Sequence, residues 1–167
     1  MSPTIHRYGA TERGVVSDVW RWDGSAWHFV GGNAGGVEQM GVCSPRGLSR
    51  TTSLPTARHA GYNFDFPAPT GRMLVMGGEH EQEKFVFNDM WSHELCDDCG
   101  WAFEAGDCNV PNVLNASHRA PGQSAEAFAP ASTFSGNGWS DNATGTSWIF
   151  GGGPDAGYVS SLWRIRW

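Results

Sequence analysis

The sequence has few basic residues and few charged residues of any kind. Its 167 residues include 11 Lys and Arg against 17 Asp and Glu, which gives a formal net charge of -6. An acidic balance argues against a nucleic-acid partner, which needs a basic face. No apolar run approaches the roughly 18 residues of a membrane-spanning helix. The first residues also contain no apolar signal core.

Motifs that are typical of catalysis are also missing. The sequence contains no Gly-x-Ser-x-Gly motif and no glycine-rich phosphate-binding loop. The acidic run from Glu79 to Glu83 predicts no glycosidase pair, because carboxylates in one loop have no fixed separation. We therefore expect no catalytic residues, no metal and no cofactor.

Glycine and tryptophan are abundant instead, with 23 and 9 residues respectively. Short apolar runs separated by glycine-rich stretches favour strands and turns over helices. A chain of this length is long enough to bury a core. The sequence therefore predicts an all-β chain.

An apolar stretch, a glycine pair and a tryptophan recur in the same order along the chain. In the middle copy the apolar run ends at Gly77 and Gly78, and Trp91 follows. The anchor tryptophans Trp20, Trp91 and Trp163 are 71 and 72 residues apart. A long fixed period indicates a repeat fold. The residues that define the repeat are Trp20, Trp27, Arg58, Gly77, Gly78, Trp91, Trp101, Gly151, Gly152 and Trp163.

This unit resembles the kelch repeat of β-propellers. The matching features are the glycine pair after an apolar strand and the Asn-Asp-aliphatic-Trp segment at 88–91. A further match is Pro55-Thr-Ala-Arg58, which is similar to the Pro-x-x-Arg opening of a kelch repeat. In the later copy Ser124 stands in place of the arginine, so the buried arginine contacts that are usual in a kelch repeat are expected at Arg58 but not in that blade. The resemblance implies an all-β, kelch-type propeller segment of about two to three four-stranded antiparallel blades.

The resemblance also implies how the blades divide the chain. We expect a partial blade at residues 1–32, a long connection at 33–54, a complete blade at 55–106, a second connection at 107–120 and a partial blade at 121–167. A propeller closes with about four to eight blades. We therefore expect either a segment of a longer propeller or a chain that completes its blades with further copies.

In a propeller the tryptophans of the repeat fill the spaces between neighbouring blades. The resemblance implies this core role, with sugar-stacking platforms as the functional alternative, for Trp20, Trp22, Trp27, Trp91, Trp101 and Trp163. Trp139 lies outside the repeat register. We expect it to be exposed, where it could contact a carbohydrate or a protein.

The four cysteines are even in number and suit two disulfides. The spacing of Cys96 and Cys99 at a predicted hairpin turn favours a local disulfide, and a zinc site that also uses His93 is the alternative. Cys43 and Cys108 lie in equivalent long loops, so we expect them to bond to each other.

Two acceptor patterns for N-glycosylation occur, at Asn115 and Asn142. Together with the even cysteine count they favour an extracellular or secretory location, with a cytoplasmic location as the alternative.

The longest links of the predicted blades, at 31–54, 79–87 and 106–120, emerge on one face, because antiparallel strands reverse direction at every link. Loops on a rigid scaffold commonly carry recognition. The charged run is interpreted as a solvated loop, with a cation site as the alternative. The candidate binding residues are Glu79, His80, Glu81, Glu83 and Lys84 on this rim, together with Trp139.

The predicted function is a non-catalytic protein-interaction or structural module that binds through this rim. The alternative is a self-assembling protomer that forms a ring or an extracellular fibre. The candidate partners are accordingly a protein, further copies of the chain, or a glycan.

A sugar-acting oxidase is a remote alternative. Galactose-oxidase-like enzymes share kelch-type blades, but they need a copper site built from tyrosines, histidines and a special cysteine. The tyrosines of this chain, Tyr8, Tyr62 and Tyr158, have no recognisable histidine partners.

Overall fold

A computed structural model describes the chain at residues 5–7, 10–11, 14–33, 40–66, 71–80, 84–96, 98–110, 135–141, 143–153 and 160–166. Within these ranges the chain forms strands and turns and no helix, so the predicted all-β class is confirmed. The strands form three antiparallel sheets and two short ribbons.

The three sheets follow one another along the chain. Sheet 1 contains β1 (Ile5–Arg7), β4 (Val19–Trp22) and β5 (Trp27–Gly31). Sheet 2 contains β6 (Tyr62–Phe66), β7 (Arg72–Met76), β10 (Met90–Glu94) and β11 (Trp101–Ala105). Sheet 3 contains β12 (Asn137–Asp141), β13 (Thr146–Phe150) and β14 (Leu162–Arg166). The ribbons are β2 (Ala10–Thr11) with β3 (Gly14–Val15), and β8 (Glu79–His80) with β9 (Phe85–Val86).

Sheet 2 is a four-stranded meander in the order β11-β10-β7-β6, as the repeat predicts for the middle unit. The repeat predicts strands at 57–64 and 72–76 in this unit, and a first strand at 125–132 in the last unit. The second strand of sheet 2 has the predicted bounds, but its first strand begins at Tyr62 rather than at Ala57. The reason is that the main chain of His59 exchanges two hydrogen bonds of 2.9 Å with Glu79. His59 therefore pairs with the β8–β9 ribbon and not with β7.

Sheet 3 starts with a strand that the sequence pattern did not predict. The expected first strand, at 125–132, lies outside the described residues, and β12 at Asn137–Asp141 pairs with β13 instead. The turn after β12 is held by the Asp141 carboxylate, which accepts hydrogen bonds from the Ala143 N–H (3.0 Å) and the Thr144 hydroxyl (2.7 Å). These bonds hold the pKa of Asp141 below its ordinary value, the Thr144 bond being the larger cause.

Sheet 2 packs between the other two sheets. Because side chains alternate across a strand, Met73 and Val75 join a core cluster with sheet 1, whereas Leu74 and Met76 join one with sheet 3. The buried members of the first cluster are Val19, Val30, Leu54, Met73, Val75, Trp91 and Trp101. Those of the second are Tyr62, Phe64, Leu74, Met76, Met90 and Ile149. Both faces of sheet 2 are therefore covered.

The segment at 44–53, here called the covering segment, runs along β11, the outer strand of sheet 2. The Gly47 N–H donates to the Phe103 carbonyl (2.8 Å), and the Arg50 N–H donates to the Trp101 carbonyl (3.2 Å). A Cβ at Gly100 would overlap with the Arg50 main chain, so the close approach requires glycine there. The long loop that the sequence predicts thus protects a sheet edge.

The tryptophans differ in burial more than the repeat register predicts. Trp91 and Trp101 are buried in the core, and Trp139 is 48% exposed, as expected. Trp27, however, is 46% exposed, which corrects its prediction as a core residue. It lies on the face of sheet 1 that points away from sheet 2, and no further sheet in the described part of the chain covers that face. Trp20, Trp22 and Trp163 are partly buried.

Candidate functional site

The tryptophan of each repeat makes the same local hydrogen bond in all three sheets. Its indole N–H donates to the side chain two residues earlier, which fixes the ring at the start of the strand. The bonds are Trp20 Nε1 to Asp18 Oδ2 (2.5 Å), Trp91 Nε1 to Asp89 Oδ2 (2.8 Å) and Trp163 Nε1 to Ser161 Oγ (3.1 Å). The repeat is therefore a structural repeat and not only a sequence pattern.

The glycine pairs also have equivalent geometry. Gly77 and Gly151 have φ of 62° and 73°, which a residue with a Cβ rarely adopts. The Gly77 N–H donates to the Asp89 carbonyl (3.0 Å), and the Gly151 N–H donates to the Ser161 carbonyl (3.1 Å). Each glycine pair thus ends one strand and holds the start of the next.

Arg58 is fully buried beneath the connections of sheet 2. Its two terminal nitrogens donate to the two carboxylate oxygens of Asp89, and the Nη2–Oδ2 distance is 3.1 Å. Nε donates to the Thr56 carbonyl (2.9 Å) and Nη1 to the Gly77 carbonyl (3.1 Å). The guanidinium also lies 4.2 Å from the centre of the Phe87 ring. Such a buried pair is favourable only when its remaining atoms are satisfied, and these contacts satisfy them.

Asn109 connects this ion pair to a distant loop. Its N–H donates to Asp89 Oδ2 (3.0 Å), the same oxygen that accepts the Trp91 indole. Its side-chain oxygen accepts the Thr56 N–H (2.8 Å) and an N–H of Arg58 (3.5 Å). The loop after β11 is therefore anchored to the buried charge pair.

The disulfide Cys43–Cys108 joins the loop before the covering segment to the loop that Asn109 anchors. It is the predicted pairing, and it closes 65 residues of chain. On the first loop, the Gly41 N–H donates to the Thr56 hydroxyl (2.9 Å). A covalent bond and a buried polar network thus fix the two loops to each other.

The first two residues of the charged run lie in a strand and not in the solvated loop that the sequence predicts. Glu79 and His80 form β8, and His80 is only 2% exposed and lies against the Phe85 ring. The physical reason is the ribbon, which turns alternate side chains inward. Lys84 is exposed, whereas Glu81 and Glu83 lie outside the described residues.

Three exposed apolar side chains lie next to the Cys43–Cys108 disulfide along the chain. Met40, Val42 and Val110 are between 49% and 53% exposed, and we call them the rim patch. Apolar side chains that are grouped on a rigid surface mark interaction sites more often than single exposed ones do. Sequence reasoning missed this patch and Asn109, because neither belongs to the repeat motif, although the adjacent cysteines were a usable signal.

The second disulfide, Cys96–Cys99, closes the turn between β10 and β11 as predicted. Glu94 lies beside it, with the three potential ligand atoms within 4.8 Å of one another. His93 is buried and packs on Trp101 with a ring distance of 5.2 Å, and it also lies close to Gly31 of sheet 1. A cysteine binds zinc as a thiolate, so the disulfide does not fit the zinc alternative.

The remaining predicted residues are the tyrosines and the two glycosylation candidates. The Tyr62 hydroxyl donates to the Gly151 carbonyl (3.0 Å), a bond between sheets 2 and 3. Tyr8 and Tyr158, like the glycosylation candidates Asn115 and Asn142, lie outside the described residues.

No protein-family model matches the chain, and no curated protein matches it either. Among the residues that the structure describes, none belongs to a helix of the length and apolarity needed to cross a membrane.

The two disulfides are expected to differ in their contribution to stability. Replacing Cys43 and Cys108 together by serine should lower the free energy of unfolding by about 2–4 kcal/mol, because it releases a long closed loop. The same change at Cys96 and Cys99 should cost clearly less, because that bridge spans a sequence separation of only 3. Urea unfolding of both double variants checks this order. A larger loss from the Cys96–Cys99 variant would contradict it.

Proposed function

We propose that this chain is a non-catalytic protein-interaction module built on kelch-like blades, and that it binds a protein through the rim patch. The kelch-like assignment is supported by the indole and glycine-pair geometry that recurs between sheets. It is also supported by the buried arginine of Pro55-Thr-Ala-Arg58, at the position that the resemblance implies. The sheets correspond to blades of a propeller in this proposal.

The observation that supports binding at the rim is the position of the rim patch beside Cys43–Cys108. Exposed apolar groups normally lower solubility, yet Met40, Val42 and Val110 lie on loops held by a disulfide and by Asn109. A rigid apolar surface loses little conformational entropy when a partner covers it. Interface centres are typically apolar with few charged residues.

A sugar-acting enzyme is less well supported. The carboxylates that line the cleft beside the covering segment both have local partners: Ser92 donates to Glu104 (2.6 Å) and Arg72 to Glu94 (3.2 Å). Tyr62 is buried in the contact between two sheets and is not available as a copper ligand. We also propose an extracellular location, because disulfides persist mainly in oxidising compartments.

The test is a matched capture experiment on secreted proteins from the source cells. The purified chain should retain a partner, and the variant Val42→Lys/Val110→Lys should lose it. Leu48→Lys is the control, because Leu48 is equally apolar and exposed but lies on the covering segment. Equal retention by the rim variant and the control, with all three chains folded by circular dichroism, would refute the rim patch as the binding surface.

A further inference from the structure

Sheets 1 and 3 each present an aromatic or apolar face that no other sheet covers within the described part of the chain. On sheet 1 this face, the leading face, consists of Trp20, Trp22, Trp27 and Phe29. On sheet 3 the trailing face includes Trp139, Trp148, Phe150, Leu162 and Arg164. Trp27, Phe29, Phe150 and Leu162 are exposed. Together they leave large apolar groups in water at both ends of the stack.

The leading face of sheet 1 has a covered equivalent within the chain. Trp20 and Phe29 form an edge-to-face pair at 5.5 Å and 68°, and Trp91 and Phe103 of sheet 2 form one at 5.6 Å and 64°. Both pairs follow a register shift of the strand at the residue before the tryptophan. The sheet 2 pair, however, is packed against Val30 and its neighbours on sheet 1.

The trailing face of sheet 3 also has a covered equivalent. Strand pairing places Phe150 opposite Leu162, just as it places Met76 opposite Met90 in sheet 2. In sheet 2 these two methionines are buried by sheet 3, through Ile149 and its neighbours. Phe150 and Leu162 of sheet 3 are therefore exposed at positions whose equivalents in sheet 2 are buried by the following sheet.

Each internal contact joins the trailing face of one sheet to the leading face of the next. The chain therefore has one uncovered leading face, on sheet 1, and one uncovered trailing face, on sheet 3. Inside the chain, a face of one kind always packs against a face of the other kind. We infer that a second copy of this chain docks its trailing face on the leading face of the first, in a head-to-tail arrangement. Such a heterologous contact can repeat into a ring or a fibre.

A polar contact gives the docking a fixed register. Within the chain, Arg21 of sheet 1 donates to the Leu95 carbonyl at the end of β10 (3.1 Å). Arg164 occupies the position of Arg21 in sheet 3, and it is exposed. In the docked pair, Arg164 of one copy faces the turn at Asp23 and Gly24 of the other copy. This turn of sheet 1 is equivalent in position to Glu94 and Leu95 of sheet 2.

This turn carries a negative charge at neutral pH. The Asp23 carboxylate accepts the N–H groups of Ala26 (2.9 Å) and Ser25 (2.8 Å), and it contacts the His28 ring (2.6 Å). These hydrogen bonds, the two from the main chain first, hold the pKa of Asp23 well below its usual range. The carboxylate is thus engaged within its own turn and contacts His28, whose side chain lies on the face of sheet 1 that packs on sheet 2. The group that Arg164 would meet is therefore the Gly24 carbonyl, the equivalent of the Leu95 carbonyl that Arg21 contacts.

The test uses two variants that each block one end: Trp27→Glu on the leading face and Leu162→Glu on the trailing face. Sedimentation velocity should show that the average mass of the wild-type species increases as the concentration is raised over roughly a hundredfold range. Each blocked variant alone should remain a monomer. An equimolar mixture of the two should form a 1:1 dimer and nothing larger, because only one pair of intact faces remains.

The arginine contact supplies a second test. Arg164→Asp should weaken wild-type association by at least about tenfold, whereas Arg164→Lys, which keeps the positive charge, should weaken it less. Leu48→Glu, off both faces, should associate like the wild type, and near-ultraviolet circular dichroism should show that every variant is folded. A wild-type chain that stays monomeric, blocked variants that still associate, or a mixture without a dimer would overturn the inference. Neither test changes a residue of the rim patch, so failure of this inference is distinguishable from failure of the proposed function.

Discussion

Replacement of Arg58 by methionine is expected to lower the free energy of unfolding by about 3–5 kcal/mol. The change removes the cation but leaves the Asp89 carboxylate fully buried. It also leaves the Thr56 and Gly77 carbonyls without the donors that reach them in the wild type. An uncompensated buried charge is the dominant cost, because the Asp89 side chain has no surface exposed to solvent. Urea unfolding with the disulfides kept oxidised measures the change.

An exposed ion pair in the same sheet supplies the matched control. Arg72 donates to Glu94 at 3.2 Å, and their side chains are 39% and 55% exposed. Arg72→Met should therefore change the free energy of unfolding by only about 0–1 kcal/mol. Similar losses at Arg58 and Arg72 would contradict the view that the buried pair organises the connections of sheet 2.

The part of this network that the sequence predicts is the part that lies within one repeat. Pro55-Thr-Ala-Arg58 indicates a buried arginine, and Asp89 belongs to the recurring Asp-x-Trp segment. Asn109 could not be predicted, because it lies in an irregular loop that no periodicity describes. Its position depends on the chain returning past β11, which is a tertiary and not a local property.

The predicted strands are likewise correct where a local pattern determines them and wrong where a distant partner does. Bounds in the middle sheet are predicted within a few residues where apolar alternation and glycine turns coincide, as at Arg72–Met76. The prediction fails at Glu79–His80, where a charged run becomes a ribbon because the main chain of His59 pairs with it. It fails again at Asn137–Asp141, whose polar composition hides a strand that only its pairing with β13 reveals. Partners that are distant in sequence decide both cases.

Burial of the tryptophans depends on neighbours that lie outside each repeat. Trp20 and Trp91 have the same indole bond and the same aromatic partner geometry. Of these two tryptophans, Trp91 has a sheet packed over it and is fully buried, whereas no sheet in the described part of the chain covers Trp20, which is partly buried. The repeat motif therefore specifies the shape of a sheet, whereas stacking specifies how much water each aromatic residue excludes.

Replacement of Trp91 by alanine should be comparable in effect to loss of the buried arginine. We expect the free energy of unfolding to fall by about 3–5 kcal/mol, because the change leaves a large cavity between sheets 1 and 2. It also removes the indole donor from Asp89, although Arg58 and Asn109 still donate to that carboxylate. Trp91→Phe should recover most of the lost packing and none of the hydrogen bond. Urea unfolding of the two variants separates these contributions.

Trp139 is the control for this prediction, because it is a tryptophan outside the repeat register that is 48% exposed. It stacks on Trp148 with a ring distance of 6.4 Å and an interplanar angle of 13°. Since this pair lies at the end of the stack and about half of Trp139 is already in water, Trp139→Ala should cost clearly less than Trp91→Ala, and the stacking itself contributes only about 0.5–1.5 kcal/mol. Equal losses at Trp91 and Trp139 would mean that the contact between sheets 1 and 2 adds nothing to stability. By the same reasoning, a second copy that packs on the leading face would then gain no stabilisation from the equivalent contact.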